Sequence, residues 1–172
     1  MSSVWQRNII RGVFLILLQL LLLKRIDITF GDFNYVHFTV YGVIIILLPY
    51  SINKTGIVLI GFLIGLVVDI FYDSLGVHAA ATTFIAYART YVLNLTSPTE
   101  GYNKSGLTAS NYGLPWFLTY LSVMLLLHLV ILYSIEAFSF VYIKEIIFRS
   151  VFSFIASFFF IAIGTLIFNP KY

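Results

Sequence analysis

The chain has 172 residues, of which 60% are hydrophobic, 18% aromatic and only 10% charged, with a formal net charge of +3. Soluble domains carry about a quarter of their residues as charges, so this composition cannot coat a globule in water and implies an integral membrane protein. The lack of cysteine excludes disulfide frameworks, thiol nucleophiles and thiolate-held metals, and the dispersed positive charge offers no basic run for nucleic acid.

Six apolar segments follow one another, at roughly 8–24, 36–50, 55–73, 76–95, 115–135 and 146–168. At about 1.5 Å per residue they suit a hydrocarbon core of about 30 Å. The first has a short uncharged centre, Gly12 to Leu23, between Arg7 and Arg11 on one side and Lys24-Arg25 on the other. It resembles a signal-peptide core, yet no small-residue cleavage site follows, so it reads as a retained helix whose flanking cations snorkel to the interfaces. Segments two and three are parted by Pro49-Tyr50-Ser51-Ile52-Asn53-Lys54, with proline as the breaker. Segments three and four meet at Ser74-Leu75-Gly76, and both junctions predict antiparallel helical hairpins. The polar stretch from Thr96 to Gly113 predicts a surface loop. Pro115 then opens the fifth segment, with Trp116 at interface depth. The expected fold is one all-α domain over 1–172, a bundle of six transmembrane helices.

Six spans with both termini inside put Arg7, Arg11, Lys54, Arg89, Lys104 and Lys171 on the inner side. Lys24, Arg25, Lys144 and Arg149 fall outside, a modest bias in the direction that the positive-inside rule requires. The Asn-x-Ser/Thr sequons at Asn53, Asn94 and Asn103 all fall on the inner side and read as chance matches.

Chemistry-bearing residues are few. Asp69 and Asp73 are four apart, a spacing that places both on one face of the third helix, and His78 opens the fourth just across the turn. A carboxylate inside an apolar run costs about 2.5–3.5 kcal/mol on insertion scales, so Asp69 needs a partner. One reading is an intramembrane metal site or proton relay; the plainer one is a carboxylate that accepts backbone amides and fixes the hairpin. Arg89 lies about 20 Å down its helix from the shared turn and Asp69 about 10 Å, so the two should not pair. Arg89 is expected to snorkel inward, leaving His78, Thr82 or Thr83 as partners for Asp69.

Gly61-x-x-x-Gly65 allows a neighbouring backbone to approach, and the small residues from Gly76 to Ala81 could receive it. Ser153-x-x-x-Ser157, with Gly164 along the same face, offers a second close-packing stripe. His128 is expected to bond a neighbouring helix. No G-x-x-x-x-G-K-[ST], G-x-S-x-G or H-E-x-x-H occurs, so nucleotide hydrolysis, serine hydrolysis and zincin proteolysis lack their parts.

The run Gly61…Gly65…Asp69…Asp73-Ser-Leu-Gly76-Val-His78-Ala-Ala-Ala81 resembles the signature region of the MreD family, the rod shape-determining membrane proteins of bacteria. Its continuation through Arg89, Ala-Ala-Ala-Thr-x-Phe-x-Ala-Tyr-x-Arg, is similar to Bacteroidetes versions. The resemblance implies a non-catalytic subunit of the cell-elongation machinery in the inner membrane, without cofactor or metal. It implies MreC as partner, beside MreB, a SEDS-type glycosyltransferase and a class B penicillin-binding protein. The candidate hairpin and partner-interface residues are then Gly61, Gly65, Asp69, Asp73, Gly76, His78 and Arg89. The family is also similar in architecture to the substrate-binding subunits of energy-coupling-factor transporters, which supplies a second expectation, a small-solute binder.

Overall fold

A computed structural model describes residues 2–30, 33–98, 101–102 and 106–168. In chain order these form α1 (Ser2–Leu21), a hairpin of β1 (Asp27–Phe30) and β2 (Phe33–His37), a short α2 (Val43–Leu47), and α3 (Lys54–Tyr72). Then come α4 (Val77–Leu95), a single turn α5 (Ala109–Tyr112), α6 (Leu114–Ala137) and α7 (Ile143–Phe168). The chain is an α-helical membrane protein: α3, α6 and α7 are each long and apolar enough to cross a bilayer. Their outer faces expose Leu59, Leu63 and Ile70, Val123 and Val130, and Ile147, Ile155 and Ile163, side chains that only lipid or another protein would cover. Six uninterrupted spans are not what forms. The helices α1 and α4 have 20 and 19 residues but are less apolar, and the second expected segment is not a continuous helix at all.

That segment runs from β2 through an extended stretch to the five-residue α2 and stops at Pro49. Every residue from Thr39 to Pro49 is buried. A short apolar run enclosed on all sides cannot be told from a spanning helix by composition, and this one is enclosed. Its non-helical backbone is satisfied by side chains. Ser153 Oγ accepts from the His37 amide at 3.0 Å and Ser157 Oγ from the Thr39 amide at 2.8 Å. The Gln19 side chain accepts from the Val40 amide at 2.8 Å and donates to the Phe38 carbonyl at 2.9 Å. Irregular backbone at membrane depth is tolerated only when surrounded and bonded in this way. The serine stripe on α7 therefore grips an extended chain, with Ser153 Oγ also 2.8 Å from the Tyr133 hydroxyl of α6, and Gly164 faces open space with no close neighbour.

The β1–β2 hairpin is antiparallel, pairing Asp27 with His37 and Ile28 with Val36, and β2 packs against α7. It is the one sheet among the described residues.

The polar stretch after α4 also differs from a surface loop. Gly106 bridges Pro49, and Leu107 and Thr108 are fully buried, so this stretch folds back over the end of the enclosed segment. Lys104, Asn103 and Lys171, which bear on orientation and on one sequon, lie outside the described residues, as does the side chain of Arg7.

Candidate functional site

The α3–α4 hairpin is the most extensively packed pair in the bundle, and its sequence explains why. Gly61, Gly65 and Asp69 recur every fourth residue and form one buried stripe on α3. A Cβ on Gly61 would lie 2.9 Å from the Ala86 Cβ and from the Thr82 carbonyl oxygen. One on Gly65 would lie 2.6 Å from the Ala79 amide nitrogen and would also overlap the Ala79 Cα and Thr82 Oγ1. The helices touch backbone to backbone there, with the small side chains of α4 leaving the room.

One turn further on, the Asp69 carboxylate reaches across to the first turn of α4. Its Oδ1 accepts from the His78 amide at 2.9 Å and from Ser74 Oγ at 2.6 Å, and Oδ2 accepts from the Ala79 amide at 2.8 Å. Asp69 thus caps a helix other than its own, satisfying two amides that α4 leaves without intrahelical partners. Its negative charge lies against the positive end of that helix. The His78 ring adds Nδ1 at 3.2 Å from Oδ1 and 3.1 Å from Ser74 Oγ. Thr82 and Thr83 bond backbone carbonyls of α4 and do not reach the carboxylate.

Asp73 does not share this face. It ends α3 in the left-handed conformation, with φ of 55°, and its side chain is exposed. The four-residue spacing holds only while the helix continues, and the helix ends at Tyr72. Gly76, with φ of 87°, completes the reversal before α4.

Arg89 corrects a second expectation. It is 2% exposed and does not snorkel. Its Nη2 donates to the Leu48 carbonyl and its Nε to the Tyr120 hydroxyl at 3.2 Å. Among the described residues no carboxylate meets it. The guanidinium instead sits beside the carbonyl end of α2, where a cation is favoured and where Pro49 cannot supply a donor. Arg89→Met, similar in bulk, leaves the Leu48 carbonyl without this donor in a dry interior, while the Tyr120 hydroxyl keeps the Ile46 carbonyl as acceptor at 3.4 Å. A loss of about 1–3 kcal/mol is expected, read as a lowered unfolding midpoint in detergent.

A cavity of about 340 Å³ opens beside this hairpin, where α1, α3 and α6 end and α4 and α7 begin. Lys24 and Gln19 enter it from α1 and the turn after it, His37 and Tyr41 from the enclosed segment, and Tyr72 and His78 from the hairpin. Tyr133, Glu136 and Arg149 close it from α6 and α7. Arg149 donates to Glu136 Oε1 at 3.0 Å and lies over the Tyr133 ring at 5.0 Å. Lys24 donates to the Phe71 carbonyl and lies over the Tyr72 ring at 5.0 Å. Gln19, Tyr41, Tyr72 and Tyr133 were not marked by sequence reasoning. A lone amide in the run from Phe14 to Leu23 was the available signal for Gln19, since a polar group there needs a buried partner. His128 bonds the Tyr41 hydroxyl at 3.0 Å, deep under the cavity. Among the described residues no three His, Asp or Glu side chains converge on a metal position.

No family model, curated protein or solved structure matches this chain. Any functional reading rests on the geometry and on the sequence motif.

Proposed function

We propose that the chain is a non-catalytic membrane scaffold of the MreD type, which organises cell-wall elongation proteins beside MreC in the bacterial inner membrane. The supporting observation is the locked α3–α4 hairpin, in which the motif residues serve packing and capping. Gly61 and Gly65 admit the α4 backbone, and Asp69 spends both oxygens on protein donors. A carboxylate so engaged suits structure better than proton transfer, which needs a group exposed to its proton donor or acceptor. The broad apolar faces of α3 and α7 suit partner helices that associate by packing. MreB, the glycosyltransferase and the penicillin-binding protein would join through MreC or these faces. Affinity purification from gently solubilised membranes tests the reading. Recovery of elongation proteins supports it, and recovery of a nucleotide-binding transporter pair instead refutes it.

The second reading, a solute-binding subunit of an energy-coupling-factor-type transporter, draws on the cavity, whose volume falls in the usual range for ligand sites of about 300–1,000 Å³.

In either case both termini are proposed to face the cytoplasm, with the α3–α4 turn outside. The chain has no cysteine, so introduced ones report without background. Asp73→Cys, on an exposed polar residue at the start of the turn, should be labelled by an impermeant thiol reagent in intact cells. Ser97→Cys, exposed after α4, should be labelled only once the membrane is opened. The reverse pattern would invert the topology.

A further inference from the structure

We infer that the cavity between Lys24 and Arg149 holds the phosphate of an anionic membrane phospholipid, which enters from the headgroup layer. This goes beyond both functional readings and depends on neither.

Charge comes first. The lining carries two permanent cations, Lys24 and Arg149, against one carboxylate, Glu136, which Arg149 already pairs. Among the described residues no carboxylate neutralises Lys24, whose partners are a carbonyl oxygen and a tyrosine ring. Arg149 meets a second carboxylate, Glu145, at 4.0 Å, so Lys24 is the lining cation left without a carboxylate partner among the described residues. An ammonium held only by a carbonyl oxygen and a ring suits a phosphate monoanion, which accepts charge-assisted hydrogen bonds.

Position decides the source. The turns flanking the cavity end in fully or nearly fully exposed apolar side chains: Leu75 at 103% in the α3–α4 turn, and Phe138 at 91% and Val141 at 84% between α6 and α7. Leu21 and Leu22, also exposed, precede Lys24. Side chains of this kind in bulk water would be costly, at about 25 cal/mol per Å². They place this end of the bundle at the boundary of headgroups and acyl chains, so the mouth meets lipid before it meets solvent. A headgroup can enter while its chains remain on the apolar outer surface.

The test uses the full-length protein, purified in detergent and stripped of lipid. Native mass spectrometry with added phosphatidylglycerol should show one adduct that survives activation. Lys24→Gln, at an exposed position where folding is not at risk, should weaken it about tenfold. Arg149→Gln should do the same if it stays monodisperse on size exclusion. Lys54→Gln, which removes a cation near Tyr91 at the other end, should leave it unchanged. Equal phosphatidylglycerol retention by wild type and Lys24→Gln would make the lipid annular and overturn the proposal. Stabilisation of the lipid-free protein by millimolar inorganic phosphate alone, with no gain from the lipid, would overturn the lipid source in favour of a soluble phosphate.

Discussion

Gly65→Leu is expected to abolish accumulation of folded protein in the membrane. A Cβ at this position falls 2.6 Å from the Ala79 amide nitrogen and still closer to the Ala79 Cα and Thr82 Oγ1, before any further branching is added. Two of those contacts are backbone, which no rotamer change can move. Overpacking in a core commonly costs about 1–3 kcal/mol when side chains can give way, and here they cannot, so the cost lies above that range. The hairpin would have to separate, which also pulls Asp69 from the amides of α4. Membrane-fraction immunoblotting and size exclusion in detergent read the result. Gly61→Ala is a milder companion, because its nearest contacts, the Ala86 Cβ and the Thr82 carbonyl oxygen, lie at 2.9 Å, further off than those at Gly65, though both are fixed by the α4 backbone. Normal levels of monodisperse Gly65→Leu would show that α3 and α4 are not in contact at this depth.

Asp69→Leu should unfold the same hairpin by a different route. Three donors, the His78 and Ala79 amides and the Ser74 hydroxyl, would lose their acceptor. At about 1–3 kcal/mol for each orphaned group, the sum approaches the whole stability of a domain, about 5–15 kcal/mol. Asp69→Asn discriminates further. The amide keeps one carbonyl oxygen but turns an NH2 group toward either the Ala79 amide or the Ser74 and His78 donors, so one side of the carboxylate's bonding is lost. An unfolding midpoint between wild type and Asp69→Leu is expected, with function following the amount of folded protein. An Asp69→Asn protein of wild-type stability that is inactive in a cell-shape assay would assign the carboxylate a chemical role and end the purely structural reading.

The parts of this structure legible in the sequence are those fixed by local rules. Pro49 and the Ser74–Gly76 turn bound α3, Pro115 lies at the start of α6, and the glycine spacing on α3 points to a close partner. That Asp69 needs an acceptor's role follows from the price of a charge in an apolar run. Which donors it meets does not, because capping a neighbouring helix depends on the turn bringing the Ala79 amide within 2.8 Å. Asp73 misled because i and i+4 share a face only inside a helix. Arg89 misled because helical rise gives depth along an axis and says nothing of what lies beside it. The Leu48 carbonyl that holds it belongs to a segment whose hydropathy suits a span and whose path is broken. The cavity was hidden for a similar reason: its lining comes from six separate stretches, and Lys24, Glu136 and Arg149 each look like ordinary end-of-helix charges.

The enclosed segment has a consequence for the order of assembly. It is synthesised early, yet the groups that receive its backbone arrive late: Ser153 and Ser157 follow the His37 and Thr39 amides by 116 and 118 positions. A piece of chain with unpaired amides cannot wait in lipid, where each costs several kcal/mol. During insertion it must remain in a watery or protein-lined setting while α3 to α6 are threaded past it, and it settles when α7 docks. Loop closure over such a separation is slow compared with pairing of the neighbouring α3 and α4. Maturation of the bundle therefore waits on α7. Truncation before that helix should leave the hairpin formed, and the first third of the protein open to membrane quality-control proteases.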